Sequence, residues 1–166
     1  VTDRIYNVLF LCRGNSARSI LAEQLLERLG GGRFGAYSAG SQPTGRVHPM
    51  AVALLGRKGY ATNDLRSKSW SEYAAPGAPA MDLVITVCDA AGAETCPIWP
   101  AHPLSVHWGI PDPAAVDGNE QSREAAFLSA FENLHQRITY LVSLPVESMD
   151  RRTLARTLTA VSSGPA

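Results

Sequence analysis

The stretch VLFLCRGNSARSILAE, Val8 to Glu23, sets a cysteine between a run that reads as strand and a run that reads as helix. Ile5–Cys12 is a short, nearly continuous apolar segment, the pattern of a strand buried on both faces. Ser16–Leu29 has Leu21, Leu25 and Leu29 along one stripe, the pattern of an amphipathic helix, and Gly30–Gly32 stops it. Between the two lies a polar turn holding Gly14 and Asn15, with Arg13 and Arg18 at its ends. A strand that turns at once into a helix is the opening unit of an α/β fold.

The rest of the chain repeats that alternation. Phe34–Ala39 reads as a second strand, Pro49–Arg57 as a second helix, and Leu83–Val87 (LVITV) as the clearest strand of all. The segment SKSWSEYAAPGAPA is mostly loop with one helical turn at its start, and a short strand is expected near Leu104–His107. Ser122–Leu144 is a long helix, with Phe127, Phe131, Leu134, Ile138 and Leu141 at alternating steps of four and three. Pro145 ends it, and Arg151–Val161 is expected to form a last helix. The expected architecture is therefore a single-domain, doubly wound parallel sheet of about four strands with helices on both faces. Residues 1–145 would form the sheet domain, and 146–166 a helical extension packed on it or trailing from it.

Bulk composition narrows the function. The 166 residues carry 15 basic and 15 acidic side chains, a net charge of zero, which argues against a dedicated nucleic-acid binder. No apolar run approaches the ~18 residues that span a bilayer. The opening VTDRIYNVLFLC has neither a basic n-region nor a cleavage site, so no membrane partner and a cytoplasmic location are expected. Three cysteines cannot all pair with one another, and a reducing compartment disfavours static disulfides.

Cys12 falls at the carboxyl end of the first strand, where doubly wound sheets place their ligands. The N–H groups of a turn entering a helix, Arg13 through Ser19, form a cradle for an anion. Arg18 can grip two oxygens of a tetrahedral oxyanion with its planar fork, and Ser19 can donate to the sulfur. A thiol so placed is expected to ionise below the ~8.5 of a free cysteine. A lone cysteine is as readily a small buried apolar residue; the strand before it and the helix after it make the difference here. The nucleotide pattern G-x4-G-K-[ST] is absent, so a nucleoside triphosphate is not the expected anion.

CRGNSARS, with DP far downstream, resembles the low-molecular-weight tyrosine phosphatase superfamily, and more closely its arsenate reductase branch. The resemblance runs from about Tyr6 to Pro145 and includes YSAG (Tyr37–Gly40), VITVCDAAGAETCP and HWGIPDPA. Two departures favour the reductases: Ala17 stands where phosphatases keep a second loop cysteine, and Ala114 where they commonly have an aromatic residue. The resemblance implies that Cys12 attacks arsenic while an oxygen leaves as water with help from Asp112. Cys88 then attacks Cys12, releasing arsenite, and Cys96 takes over Cys88 and carries the disulfide to an external thiol reductant, thioredoxin or glutaredoxin with glutathione. The seven residues between Cys88 and Cys96, rich in Ala and Gly, suit such a movement.

Further roles follow from the same resemblance. The loop Arg13, Gly14, Asn15, Ser16, Ala17, Arg18 and Ser19 binds the oxyanion, Asn15 orders it, and Ser38 supports Asn15. His107 shapes the loop around Asp112, which Pro111 and Pro113 stiffen. Some members bind potassium beside this network; here Lys68 stands at the matching acidic position, so no metal and no bound cofactor are expected. The set Cys88, Cys96, His102 and His107 does not have a usual zinc spacing. Two alternatives stay open: a low-molecular-weight protein-tyrosine phosphatase, and a non-enzymatic thiol-based redox or metal sensor.

Overall fold

In the computed structural model, which describes residues 4–88, 99 and 101–162, strand β1 (Tyr6–Cys12) lies inside the sheet. Val8, Leu9, Phe10 and Leu11 are all fully buried. Successive strand residues face opposite sides, so unbroken burial means that both faces of β1 are covered. β1 pairs in parallel with β2 (Phe34–Gly40) on one side and β3 (Leu83–Thr86) on the other. β4 (Leu104–His107) joins β3 in parallel, giving the order β2-β1-β3-β4. The expected four-stranded parallel α/β sheet is the one observed.

Helix α1 (Arg18–Leu29) buries Ile20, Leu21, Leu25 and Leu26 against β1, β2 and the long helix α4 (Glu120–Ser143). Its C-terminal turn closes with the Gly30 N–H on the Leu26 carbonyl, and Gly31 and Gly32 then take positive φ of 58° and 85° to turn the chain. α2 (Pro49–Arg57) packs on α4, whose Phe127, Phe131, Leu134, Ile138 and Leu141 are the buried stripe read from the sequence. A last helix, α5 (Arg151–Ser162), lies against β4 with Leu154 and Leu158 buried.

Several boundaries differ from expectation, each for a physical reason. Ile5 is half exposed and outside β1. α1 begins at Arg18 rather than Ser16, because tertiary hydrogen bonds hold the preceding turn out of helical geometry. The helical turn α3 falls at Ser71–Ala74, after Ser67–Trp70 has run alongside the end of β2 through a bridge between Gly40 and Ser69. α4 starts at Glu120, where the Asn119 side chain accepts the Ser122 N–H at 2.8 Å. No helix among the described residues is long and apolar enough to cross a membrane.

Candidate active site

β1 has one neighbour reached by each direction of winding, so the loops after β1 and β3 part and leave a crevice at the carboxyl ends of the strands. Cys12 ends β1, and Cys88 lies just beyond β3. Both are buried, with a side-chain hydrogen bond between them. An open pocket of about 370 Å³ above them is lined by Cys12, Gly14, Ala17, Arg18, Cys88 and Asp112 among others. Wider grooves of about 470 and 580 Å³ run along α4, but their walls, Leu54, Leu128 and Phe131 among them, hold none of these groups.

The turn from Arg13 to Ala17 is built with its carbonyls facing outward. Gln42 N–H donates to Arg13 O at 2.9 Å, Thr44 N–H to Gly14 O at 3.0 Å, and His48 N–H to Ser16 O at 2.8 Å. Ser67 Oγ adds a second donor to Gly14 O at 3.1 Å. In a planar trans peptide the C=O and the next N–H point opposite ways. The following N–H groups are thereby turned from this outer segment, and that of Gly14 reaches the Cys12 sulfur. α1 adds its own donors: Ala17 caps it without a side-chain bond, and its first turn has no acidic residue. Its end thus keeps the unsatisfied amides that attract an anion.

Asn15 holds this shape. It is fully buried at φ 45°, a left-handed conformation that asparagine tolerates better than other side chains. Its Oδ1 accepts the Lys68 N–H at 2.8 Å, and its Nδ2 donates to Ser19 Oγ at 2.8 Å. Behind it, Lys68 Nζ donates to Ser38 Oγ at 3.1 Å and to the Arg66 carbonyl at 3.2 Å. Ser38 in turn donates to Glu23 Oε1 at 2.8 Å, which lies 3.9 Å from the ammonium. Ser38 therefore supports Asn15 by way of Lys68. Burial raises the Glu23 carboxyl above its usual range against the pull of Lys68 and Ser38, and burial lowers the Lys68 ammonium against the pull of Glu23.

Arg18 crosses the crevice. Its Nη1 donates to the Ile110 carbonyl at 2.9 Å, and its Nη2 lies 3.5 Å from Asp112 Oδ2. Its Nε is buried with no partner among the described residues. A buried guanidinium donor left open is costly unless an anionic oxygen meets it. Asp112 caps the short turn Pro113–Ala115 by accepting the Ala114 N–H at 2.9 Å, which fixes its carboxylate over the pocket. His107 Nδ1 is paired with Thr86 Oγ1 at 2.6 Å, joining the ends of β3 and β4.

The thiols depart from expectation. The Cys12 thiol is pushed up, first by its hydrogen bond with Cys88 and then by burial, although Arg18 and the Gly14 N–H pull it down. Two sulfurs in contact titrate as a pair, and holding one proton between them is easier than losing both. The amide of Arg13 also donates to Cys88 Sγ at 3.2 Å, so the anion loop serves both sulfurs. Cys96 lies outside the described residues. Among those described, no group of three His, Cys, Asp or Glu side chains is placed to hold a metal ion. Sequence reading missed Gln42 and Thr44, which line the pocket, and the Ile110 carbonyl, the Lys68 N–H and His48. All five act on the site through backbone groups, which leave no residue-type signal.

Residues 7–154 match the family of the low molecular weight phosphotyrosine protein phosphatase. Over 131 residues, 79% of this chain and 91% of the relative, the chain is 34% identical to an arsenate reductase of Halalkalibacterium halodurans. It superposes on the solved structure of an arsenate reductase in the phosphate binding state with a TM-score of 0.68 and 25% identity, covering 84% of this chain and 98% of that one. A thioredoxin-dependent arsenate reductase of Corynebacterium glutamicum shares the fold, with a TM-score of 0.62 and 24% identity, covering 86% of this chain and 63% of that one.

Proposed function

The chain belongs to the low molecular weight phosphotyrosine protein phosphatase family, and we propose that within it the chain is an arsenate reductase working by a thiol relay. One observation carries the reading: two buried cysteines, Cys12 and Cys88, share a hydrogen bond in the lining of the oxyanion pocket. Hydrolysis of a phosphate ester needs one nucleophilic sulfur, whereas reduction of arsenic by two electrons needs two. The walls agree, since Gln42, Thr44 and Ala114 bound the pocket where an aryl ester would want an aromatic face.

The proposed steps follow the order that the family resemblance implies. Arsenate sits on the loop amides and the Arg18 fork. A basic oxygen of the bound dianion takes the proton that the Cys12–Cys88 pair holds. Cys12 then attacks arsenic(V), and that oxygen leaves as water with a second proton from Asp112. Cys88 attacks the Cys12 sulfur; the S–S bond forms as the S–As bond breaks, and its electron pair reduces arsenic to the trivalent state, released as arsenite. Cys96 attacks Cys88 in turn, freeing Cys12, and an external dithiol reduces the Cys88–Cys96 bond. The reductant is thioredoxin or glutaredoxin with glutathione, in the cytoplasm.

Arsenate reduction measured with each reductant system separately, beside hydrolysis of an aryl phosphate, tests this reading. Cys12→Ser is expected to lose both activities. Cys88→Ser is expected to lose multiple-turnover reduction and keep any hydrolysis. If arsenate only inhibits and no disulfide forms, the protein is a phosphatase of the same fold.

A further inference from the structure

Trp108 is fully buried beside the site, yet none of the proposed chemical steps uses it. Its indole Nε1–H donates to the Leu158 carbonyl of α5 at 3.0 Å. An indole has this single donor to satisfy when it is buried. The same residue is fixed on its other sides: its amide donates to the Thr86 carbonyl at 2.7 Å, and its ring centroid lies 6.5 Å from that of Phe10. Two residues further, Ile110 donates its N–H to Val87 O at 3.1 Å and offers its carbonyl to Arg18 Nη1 at 2.9 Å. A short run of bonded backbone therefore joins α5 to the guanidinium in the pocket.

α5 is itself firmly placed. Leu154 and Leu158, one turn apart, are 2% and 0% exposed. Asp150 caps the helix by accepting the Thr153 N–H at 2.8 Å and the Thr153 hydroxyl at 2.9 Å. The family match stops at residue 154, so the turn that carries Leu158 lies beyond the shared pattern.

We propose that α5 is a positioning element of the oxyanion site, acting through Trp108 and the Ile110 carbonyl on the orientation of Arg18. The proposal rests on Arg18 as the anion-binding side chain. Arginine has many rotamers to lose, and its bond to Ile110 O restrains the guanidinium of a residue that lines the pocket. A misplacement of about 1 Å at such a group is enough to weaken binding and slow the reaction.

The test uses inorganic phosphate as the probe, with its affinity read from protection of Cys12 against iodoacetamide. Trp108→Phe keeps an aromatic ring and removes the N–H. It is expected to bind phosphate at least about threefold more weakly, less than the loss of a whole hydrogen bond to the anion itself. The Leu154→Ala, Leu158→Ala double variant, which loosens α5 without touching the loop, is expected to do the same while its far-ultraviolet circular dichroism stays native. Coupling is reciprocal, so phosphate is expected to slow amide exchange in α5 of the unmodified protein more than in Trp108→Phe. Phosphate affinity within twofold of the unmodified protein in both variants would overturn the proposal. Arg18→Lys separates the two readings: if it too leaves phosphate affinity unchanged, the oxyanion assignment falls; if it weakens binding while both α5 variants do not, only the role of α5 falls.

Discussion

His48 serves two elements at once. Its amide donates to the Ser16 carbonyl of the anion loop, and its Nδ1 accepts the Met50 N–H at 3.1 Å, capping α2. The ring rests against Phe127 with centroids 4.8 Å apart. Burial and the nearby Arg123 lower its pKa from 6.5, while Asp112 opposes them. The folded state thus favours neutral His48. Its contribution is complete above pH 6.5 and is lost as the pH falls through the lower folded-state value. A protonated Nδ1 can no longer accept, so the cap goes with it, at about 1 kcal/mol. The melting temperature of the unmodified protein should therefore fall as the pH drops below that of free histidine. His48→Asn, whose cap does not titrate in this range, should show a shallower fall. Parallel pH profiles for the two proteins would show that His48 titration contributes nothing.

At the scale of elements, the anion loop depends on three segments that meet only in the folded state: residues 41–48, residues 66–70 and α1. Gly40 marks how close they come, since a Cβ there would lie 2.5 Å from the Arg13 carbonyl oxygen and 2.8 Å from that of Cys12. Lys68 locks the second segment, its ammonium buried against Ser38 and Glu23. Lys68→Met leaves Glu23 as a buried carboxyl without its cation, which costs roughly 3 kcal/mol when one partner of such a pair is removed. Urea unfolding should show that loss, and Glu23→Gln added to Lys68→Met should recover much of it. A double variant as unstable as the sum of the two single changes would deny the coupling. These segments also mark where sequence reading stopped. The strands and the α4 stripe were legible because burial shows in residue type, as unbroken apolar runs at Val8–Leu11 and Leu83–Thr86 and as periodicity at Phe127–Leu141. Cys12, Arg18 and Asp112 were legible because their chemistry is in their side chains. The supports were not: Gln42, Thr44 and His48 reach the loop through main-chain N–H groups that every residue but proline has. The start of α1 was misplaced for the same reason, since those bonds keep Ser16 and Ala17 out of the helix.

For the molecule as a whole, the order of the proposed relay can be tested chemically. Peptide mapping after one arsenate turnover should find Cys88 joined to Cys96 in the unmodified protein. In Cys96→Ser it should find Cys12 joined to Cys88, with turnover stopped there. A Cys96→Ser protein that cycles normally would remove Cys96 from the relay. The sheet order has a separate consequence for how the protein is made. β1 and α1 are translated first, but β1 waits for β3 and α1 waits for α4 before their apolar faces are covered. The cradle waits as well, because the Arg18 guanidinium is bonded to the carbonyl of Ile110, which follows β4. A chain emerging from the ribosome therefore carries the Cys12 and Cys88 thiols in the open, with no finished anion site between them. Protection of those thiols during synthesis falls to the reducing pool of the cell, and only release of the long helix hands it over to the fold.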